Sequence, residues 1–398
     1  MNQHQIQKRI QSIDVLRGIV MVIMALDHVR DFFHIHANTD DPLNLSTTTP
    51  VLFFTRFITH FCAPVFVFLS GTSIYLQSLR KSKKELSSFL IKRGLWLIFA
   101  EWFIISLGWT FNPSYPIIPF QVIWAIGISM IILGLLIWLP YRFILAIGII
   151  IVLSHNLLDI PESAPGFKSN FFFDLLHHGV FTPYQFAPGH YAFIVYPFLA
   201  WTGMMMLGYC TGIFFAPGYA TEKRKKVLLQ SGIGLLLLFI ALRFINSYGD
   251  PLPWSKQTTG LYSFLSFINV NKYPPSLQYF CITIGCALLA LAWLENIQNR
   301  FTKSMQVFGR TAFFYYILHI YLIHLVAMAF FFVNGHTMQE AKDAVQNIPF
   351  LFVLPGKGLG LVGVYLVWLC VVAALYPLCK WYNQYKSNHK EKWWLSYL

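Results

Sequence analysis

Charge is scarce in this chain. Asp, Glu, Lys and Arg make up 11% of its 398 residues, against 56% hydrophobic, far from the soluble average of roughly 25% charged. That balance excludes an ordinary water-soluble globule, and recurring long apolar runs indicate a polytopic membrane protein. Cysteine is sparse too. All six (Cys62, Cys210, Cys281, Cys286, Cys370, Cys379) fall in or beside apolar runs, with no CxxC pair, so neither a disulfide framework nor a zinc site is implied and no metal is expected. No cleavable signal is visible, because Met1 to Gln11 is polar and the first apolar run merges into a span too long for a signal core. Internal repeats, low-complexity stretches and linkers are also missing, so residues 1–398 are expected to form one membrane domain. Acidic residues are few, 16 against 29 basic, giving a net charge of +13. The basic residues stand in short clusters between apolar runs rather than in a basic domain, which points to membrane topology and away from nucleic acid.

A hydrocarbon core of about 30 Å takes about 20 helical residues. Ten runs of suitable length lie near residues 15–36, 51–78, 88–111, 119–138, 141–158, 190–215, 227–246, 276–294, 305–333 and 359–380, which predicts an all-α bundle of about ten transmembrane helices. Threaded alternately across a bilayer, one side receives Lys8, Arg9, "RKSKK" at 80–84, Lys92, Arg93, Arg142, "KRKK" at 223–226, Arg300, Lys303 and Lys380 to Lys392. The other side receives Arg30, Lys168, Lys256, Lys272, Lys342 and Lys357, spread over longer loops. Cytoplasmic loops collect Lys and Arg, so both termini are expected in the cytoplasm. The loops near 157–189, 247–275 and 334–358 are then extracytoplasmic.

The first span, "SIDVLRGIVMVIMALDHVRDFFH" at 12–34, carries ionisable residues that hydrocarbon rejects. Arg17 and His28 are eleven residues apart, three turns and about 16 Å of rise, on one face. Arg17 belongs to the cytoplasmic end. Asp31 and His34 continue from His28 at helical spacing, and Asp27 is adjacent. A carboxylate near an imidazole holds its tautomer and stabilises the cation formed when it takes a proton, so Asp27 or Asp31 is expected to orient His28. Arg30 reads more simply as an interfacial charge. The second span, "TRFITHFCAPVFVFLSGTSIYLQS", sets Arg56 and His60 four residues apart. A short connection would make the two spans neighbours, bringing His28, His34, Arg56 and His60 into one outward chamber. His60 fits a packing histidine equally well.

"SIDVLRG" followed by "HFCAPVFVFLSGTS" resembles the start of the heparan-α-glucosaminide N-acetyltransferases and related bacterial membrane proteins. Arg17-x10-His28 also resembles the Arg-x10-His signature of bacterial membrane O-acyltransferases that modify surface polysaccharides. Further matching pieces are "QVIWAIGISMI" at 121–131, "YPFLAWTGMMMLGYCTG" at 196–212 and "FGRTAFFYYILHIYLIHL" at 308–325. The last corresponds to a Tyr-rich segment ending in His, here Tyr315, Tyr316 and His319, as residues toward substrate. In the heparan pattern the His28 position is an asparagine and the catalytic histidine follows it, which makes His34 the competing candidate.

What the resemblance implies is acyl transfer, with acetyl-CoA or another acyl-CoA as donor and a sugar amine or hydroxyl as acceptor. Such chemistry needs positioning, a base and oxyanion donors. His28 or His34 would be the base and Arg17 or Arg56 the charge stabiliser. Ser70, Thr72 and Ser73 would line the thioester path, and Lys83, Lys84, Lys225 and Lys226 would hold the CoA phosphates, although the positive-inside rule accounts for those lysines as well. Glu101 and Arg310 need partners the sequence does not name. A proton-coupled transporter and a non-catalytic membrane binding protein remain alternatives, the former without the paired interrupted helices it ordinarily shows. A bacterial inner membrane is the expected location, and a homodimer is compatible with the chain.

Overall fold

The computed structural model describes residues 10–178, 181–345 and 348–396. Its helices in chain order begin with α1 (Gln11–Phe33), α2 (Pro50–Thr59), α3 (Cys62–Ser78), α4 (Lys83–Phe99) and α5 (Ser106–Thr110), with a π-helical turn at Ala100–Ile105 between the last two. There follow α6 (Val122–Leu136), α7 (Tyr141–Ser154), α8 (Asp159–Glu162), α9 (Phe171–Leu176), α10 (Phe198–Thr211), α11 (Thr221–Ile245) and α12 (Gly260–Ile268). The last are α13 (Leu277–Leu294), α14 (Arg300–Arg310), α15 (Ala312–Val333), α16 (Met338–Ala344) and α17 (Leu361–Asn388).

Seven helical segments among the described residues are long and apolar enough to cross a membrane: Pro50–Ser78, Tyr141–Glu162, Phe198–Phe215, Thr221–Ile245, Leu277–Leu294, Ala312–Val333 and Leu361–Asn388. The other three expected spans are occupied by α1, by the continuous helix 83–110 and by α6. The first two of these carry too much charge, and α6 is too short, to qualify on apolarity and length alone. The chain is thus a predominantly helical polytopic membrane protein. Several segments depart from the sequence expectation. Residues 190–194 are strand, so the span predicted from 190 begins as helix at Phe198; the run predicted from 119 begins in strand and becomes helix at Val122; the run at 51–78 breaks between Thr59 and Cys62 and the run at 305–333 at Thr311; and the last helix continues to Asn388.

A small sheet also interrupts the helical pattern. Strands β1 (Ile117–Phe120), β2 (Pro183–Ala187) and β3 (His190–Ile194) lie in the order β1-β3-β2. β1 pairs with β3 in parallel, Ile118 opposite Ala192, and β2 pairs with β3 as an antiparallel hairpin.

The charged helix α1 is central, packed against α2, α3, α13, α14, α15 and α17. Its polar side chains therefore face protein and an internal cavity instead of lipid, the condition under which a membrane tolerates them. Close backbone approach makes this possible. A Cβ on Gly18 would stand 1.8 Å from the Met305 carbonyl oxygen, and one on Gly309 would stand 1.9 Å from that of Asp14, so α1 and α14 touch backbone to backbone. Gly71 and Gly208 do the same for α3 and α10.

The basic clusters gather at one end of the bundle. There Ser12 donates to Glu295 (2.8 Å), Arg224 pairs with the same carboxylate (2.5 Å), Arg310 pairs with Asp14 (3.2 Å), and Lys83 donates to the Trp138 carbonyl (3.1 Å). The long loops and the sheet cover the other end. Arg243, 1% exposed near the end of α11, ties these loops down: it donates to the carbonyls of Leu252, Ser266, Phe267 and Asn269 and to Gln278. Across the same face the Leu359 amide donates to the Phe33 carbonyl (2.6 Å), joining the end of α1 to the start of α17.

Candidate active site

One cavity of about 730 Å³ runs along α1. Arg17, Met21, Met24, Asp27, His28 and Asp31 line it, spaced so that one helix face covers about 21 Å of rise from the first to the last. Arg17, Arg93, Arg310 and Lys386 stand at its basic end. Asn38, Arg56, Lys272, Tyr273, Phe181 and Phe350 stand toward the loops.

His28 sits between these ends. Its Nδ1 lies 2.7 Å from Nε2 of His319, and Nδ1 of His319 lies 3.1 Å from the Tyr315 carbonyl oxygen. A carbonyl only accepts, so His319 donates from Nδ1, its neutral Nε2 carries a lone pair, and His28 must donate from Nδ1. That chain of assignments leaves a lone pair on His28 Nε2, the state a general base requires. Trp109 (ring centroids 4.8 Å) and Tyr316 (6.2 Å) pack edge-on against the His28 ring.

The orienting role expected of Asp27 or Asp31 therefore belongs to His319. Asp27 instead accepts from Arg56 in a short contact and meets Arg30 Nη2 at 2.9 Å, while Asp31 accepts from the same Arg30 atom at 2.6 Å. Arg30, expected as an interfacial charge, is 5% exposed and joins both carboxylates. Tyr315 does not reach the cavity; its ring stacks on His319 at 5.3 Å, and its neighbour Tyr316 supplies the lining surface.

The expected chamber of four residues resolves into two. His28 and Arg56 line the cavity. His60 does not: the helix break between α2 and α3 turns it inward, 1% exposed, between Phe57 and Tyr279, with both ring nitrogens lacking a protein partner. His34 ends α1 and lines a separate pocket of about 100 Å³ with His36 and Asp40, which touches the cavity only through Arg30 and Asp31.

At the basic end Arg17 donates to Ser73 (2.8 Å) and lies 3.4 Å from Asp14. Ser70 and Ser73 line the cavity, whereas Thr72 donates to the Gly208 carbonyl (3.0 Å) inside the α3–α10 contact. Lys83, Lys84, Lys225 and Lys226 are not among the lining residues. They lie at helix starts, Lys83 on the Trp138 carbonyl and Lys225 3.9 Å from Glu222, so the cavity's own cations are Arg17, Arg93, Arg310 and Lys386.

Sequence reasoning passed over Lys272 and Tyr273. Both reach the cavity from the loop before α13, where no periodicity marks them. Burial raises the Tyr273 phenol, but Lys272 and Arg56 beside it, with hydrogen bonds to Lys272 and Tyr196, bring it below its ordinary pKa. Glu101 finds its partner in a helix end: its Oε2 accepts from the amides of Ile123 (2.8 Å) and Trp124 (3.0 Å) at the start of α6, where the helix dipole favours an anion. Asp159, Glu162 and His177 bring ligand-type atoms within 4.8 Å of one another away from the cavity. Glu162 faces His177 Nδ1 (2.7 Å), while His177 Nε2 lies 3.3 Å from His155 Nδ1 and 3.9 Å from Asp159, so this cluster also draws in His155.

A half-buried histidine on a charged central helix, backed by a second histidine from α15 and facing a cavity with cations at both ends, defines a polytopic membrane protein built around a polar internal cavity. The family model for the catalytic region of heparan-alpha-glucosaminide N-acetyltransferase matches residues 9–244, and the chain belongs to that family. No curated protein matches the chain. The match takes in Arg17, His28 and Arg56 and ends within α11, so Lys272 and Lys386, which line the cavity, and His319, buried behind His28, come from beyond it.

Proposed function

We propose that this membrane enzyme of the N-acetyltransferase type moves an acetyl group from acetyl-CoA, entering at the basic end, to an amine or hydroxyl of a sugar held at the loop end. The observation that carries this reading is one continuous cavity with four cations at one end and His28 about 16 Å further along α1. Arg17, Arg93, Arg310 and Lys386 would bind the CoA phosphates, and the thioester arm would run past Ser70, Ser73, Met21 and Met24.

His28 Nε2 then takes the proton from the acceptor amine or hydroxyl as its nitrogen or oxygen attacks the thioester carbonyl. The C–S bond breaks and the departing thiolate receives that proton from the imidazolium, so one histidine serves both halves of the exchange. Transfer is direct, because donor and acceptor reach the same nitrogen from opposite ends. By the distribution of Lys and Arg the basic end is cytoplasmic and the sugar extracytoplasmic, with the chain acting as one domain in a bacterial inner membrane.

The test is purified full-length protein with labelled acetyl-CoA and an amino sugar. His28→Ala should lower turnover by roughly a hundredfold to ten-thousandfold with acetyl-CoA affinity retained. Sugar accumulation in proteoliposomes without label transfer would refute the enzyme reading in favour of transport.

A further inference from the structure

At the loop end of the bundle, away from the cavity, four side chains of metal-binding type meet where α7 runs out. The turn His155–Leu158 that follows α7 carries His155, α8 carries Asp159 and Glu162, and His177 arrives from the end of α9. Spacings of four and three put the first three on one helical face. Glu162 accepts from His177 Nδ1 (2.7 Å), so the lone pair of His177 lies on Nε2. That nitrogen stands 3.3 Å from His155 Nδ1 and 3.9 Å from Asp159 Oδ1. The other Asp159 oxygen accepts from the Asn156 side chain (2.7 Å), whose own oxygen accepts from the Leu277 amide (2.9 Å) at the start of α13.

Two features of this cluster call for a cation. The Asp159 and Glu162 side chains are 14% and 9% exposed, and among the described residues both pair with His177 and neither with a Lys or Arg. Carboxylates so placed are costly until a positive charge meets them. His155 is 2% exposed, its Nε2 has no partner, and its Nδ1 meets the His177 nitrogen. Two nitrogens bound to one Zn²⁺ at about 2.0–2.1 Å and at the tetrahedral angle stand about 3.3 Å apart, which is the separation these two rings already have.

We propose that His155 Nδ1, His177 Nε2 and Asp159 Oδ1 bind one divalent transition-metal ion, Zn²⁺ by its fit to this spacing, with a fourth position left for water. Glu162 is the positioning residue, holding His177 in the tautomer that ligates. Binding requires His155 to carry its proton on Nε2 and the Asp159 carboxylate to turn toward the two rings. The role is structural: the ion fastens the segment that carries His177 to the end of α7 and, through Asn156, to α13. None of the four residues lines the cavity, so the site stands independently of the acyl-transfer reading. No cysteine takes part, which is why cysteine spacing gave no sign of it.

The test is Zn²⁺ binding by untagged full-length protein in detergent, stripped with a chelator and titrated against a chromophoric competitor. One Zn²⁺ per chain should bind with a Kd of about 1 μM or tighter and raise the melting temperature. His155→Gln and His177→Gln should each weaken binding about a hundredfold or more and remove the thermal shift, while Glu162→Gln, which keeps all three ligands, should weaken it about tenfold to a hundredfold. His36→Gln, beside the separate carboxylate of Asp40, should change nothing. Wild-type protein without stoichiometric binding, or binding that survives His177→Gln, overturns the proposal. Where a histidine variant does not fold, Glu162→Gln decides, and an affinity equal to the wild type overturns the proposal as well.

Discussion

Replacing His319 by Leu removes the acceptor of the His28 Nδ1–H while keeping an apolar side chain in its place between Tyr315 and His28. In the wild type the 2.7 Å contact holds His28 in the tautomer that leaves Nε2 free, and it strengthens as His28 becomes an imidazolium. A hydrogen bond to a charged group is worth about 1.5–3 kcal/mol, which corresponds to roughly a tenfold to hundredfold loss in turnover. His319→Gln, whose amide oxygen can accept the same proton, should recover part of that loss. The assay is steady-state transfer from labelled acetyl-CoA, with its affinity measured separately: kcat should fall while the donor's KM stays within about twofold. If His319→Leu leaves kcat unchanged, the tautomer is fixed by something else. If it costs as much as His28→Ala and Gln rescues nothing, His319 is itself the base, and the direction of the proton chain has been read backwards.

Other expected outcomes follow from the same contacts. Arg243→Met leaves four carbonyls and Gln278 without their donor, and should lower stability by about 3–5 kcal/mol, seen as a fall in the detergent melting temperature; an unchanged melt would mean the loop end is held elsewhere. Arg93→Gln should raise the KM for acetyl-CoA about tenfold with little change in kcat, whereas charge reversal at Lys83 and Lys84, or at Lys225 and Lys226, should leave it unaltered because these residues stand outside the cavity; the opposite pattern would move the donor site to the surface lysines. For topology, an introduced cysteine at the exposed Ser163 should react with an impermeant reagent in intact cells and one at the exposed Lys84 should not, with Cys370, the exposed native thiol, replaced first. Labelling at residue 84 would invert the orientation.

Seven of the ten expected spans fall on helices long and apolar enough to cross a membrane, and these were legible because apolar length is a property of neighbouring residues in the chain, which the bilayer reads directly. The face shared by Arg17 and His28 was legible for the same reason, since helical spacing alone puts eleven residues at three turns. Strand β3 was not: residues 190–194 are as apolar as the helix that follows, and only pairing with β1 and β2 makes them extended. His60 and Arg56 share a helical spacing, but the chain breaks at His60 and the two side chains part.

By itself, then, the sequence determined a polytopic membrane helix bundle, its basic end, and a charged first helix with no business in lipid. Only the tertiary structure decided what those charges do. His28 meets His319 across 291 residues of sequence and Arg56 meets Asp27 across 29; Lys272 enters from a loop, and the basic clusters at 83–84 and 225–226 stay outside. Such pairings depend on which helices are neighbours and on how each is rotated about its axis, and here that is set by backbone contacts such as Gly18 on Met305 and Gly309 on Asp14, between residues that no local pattern relates.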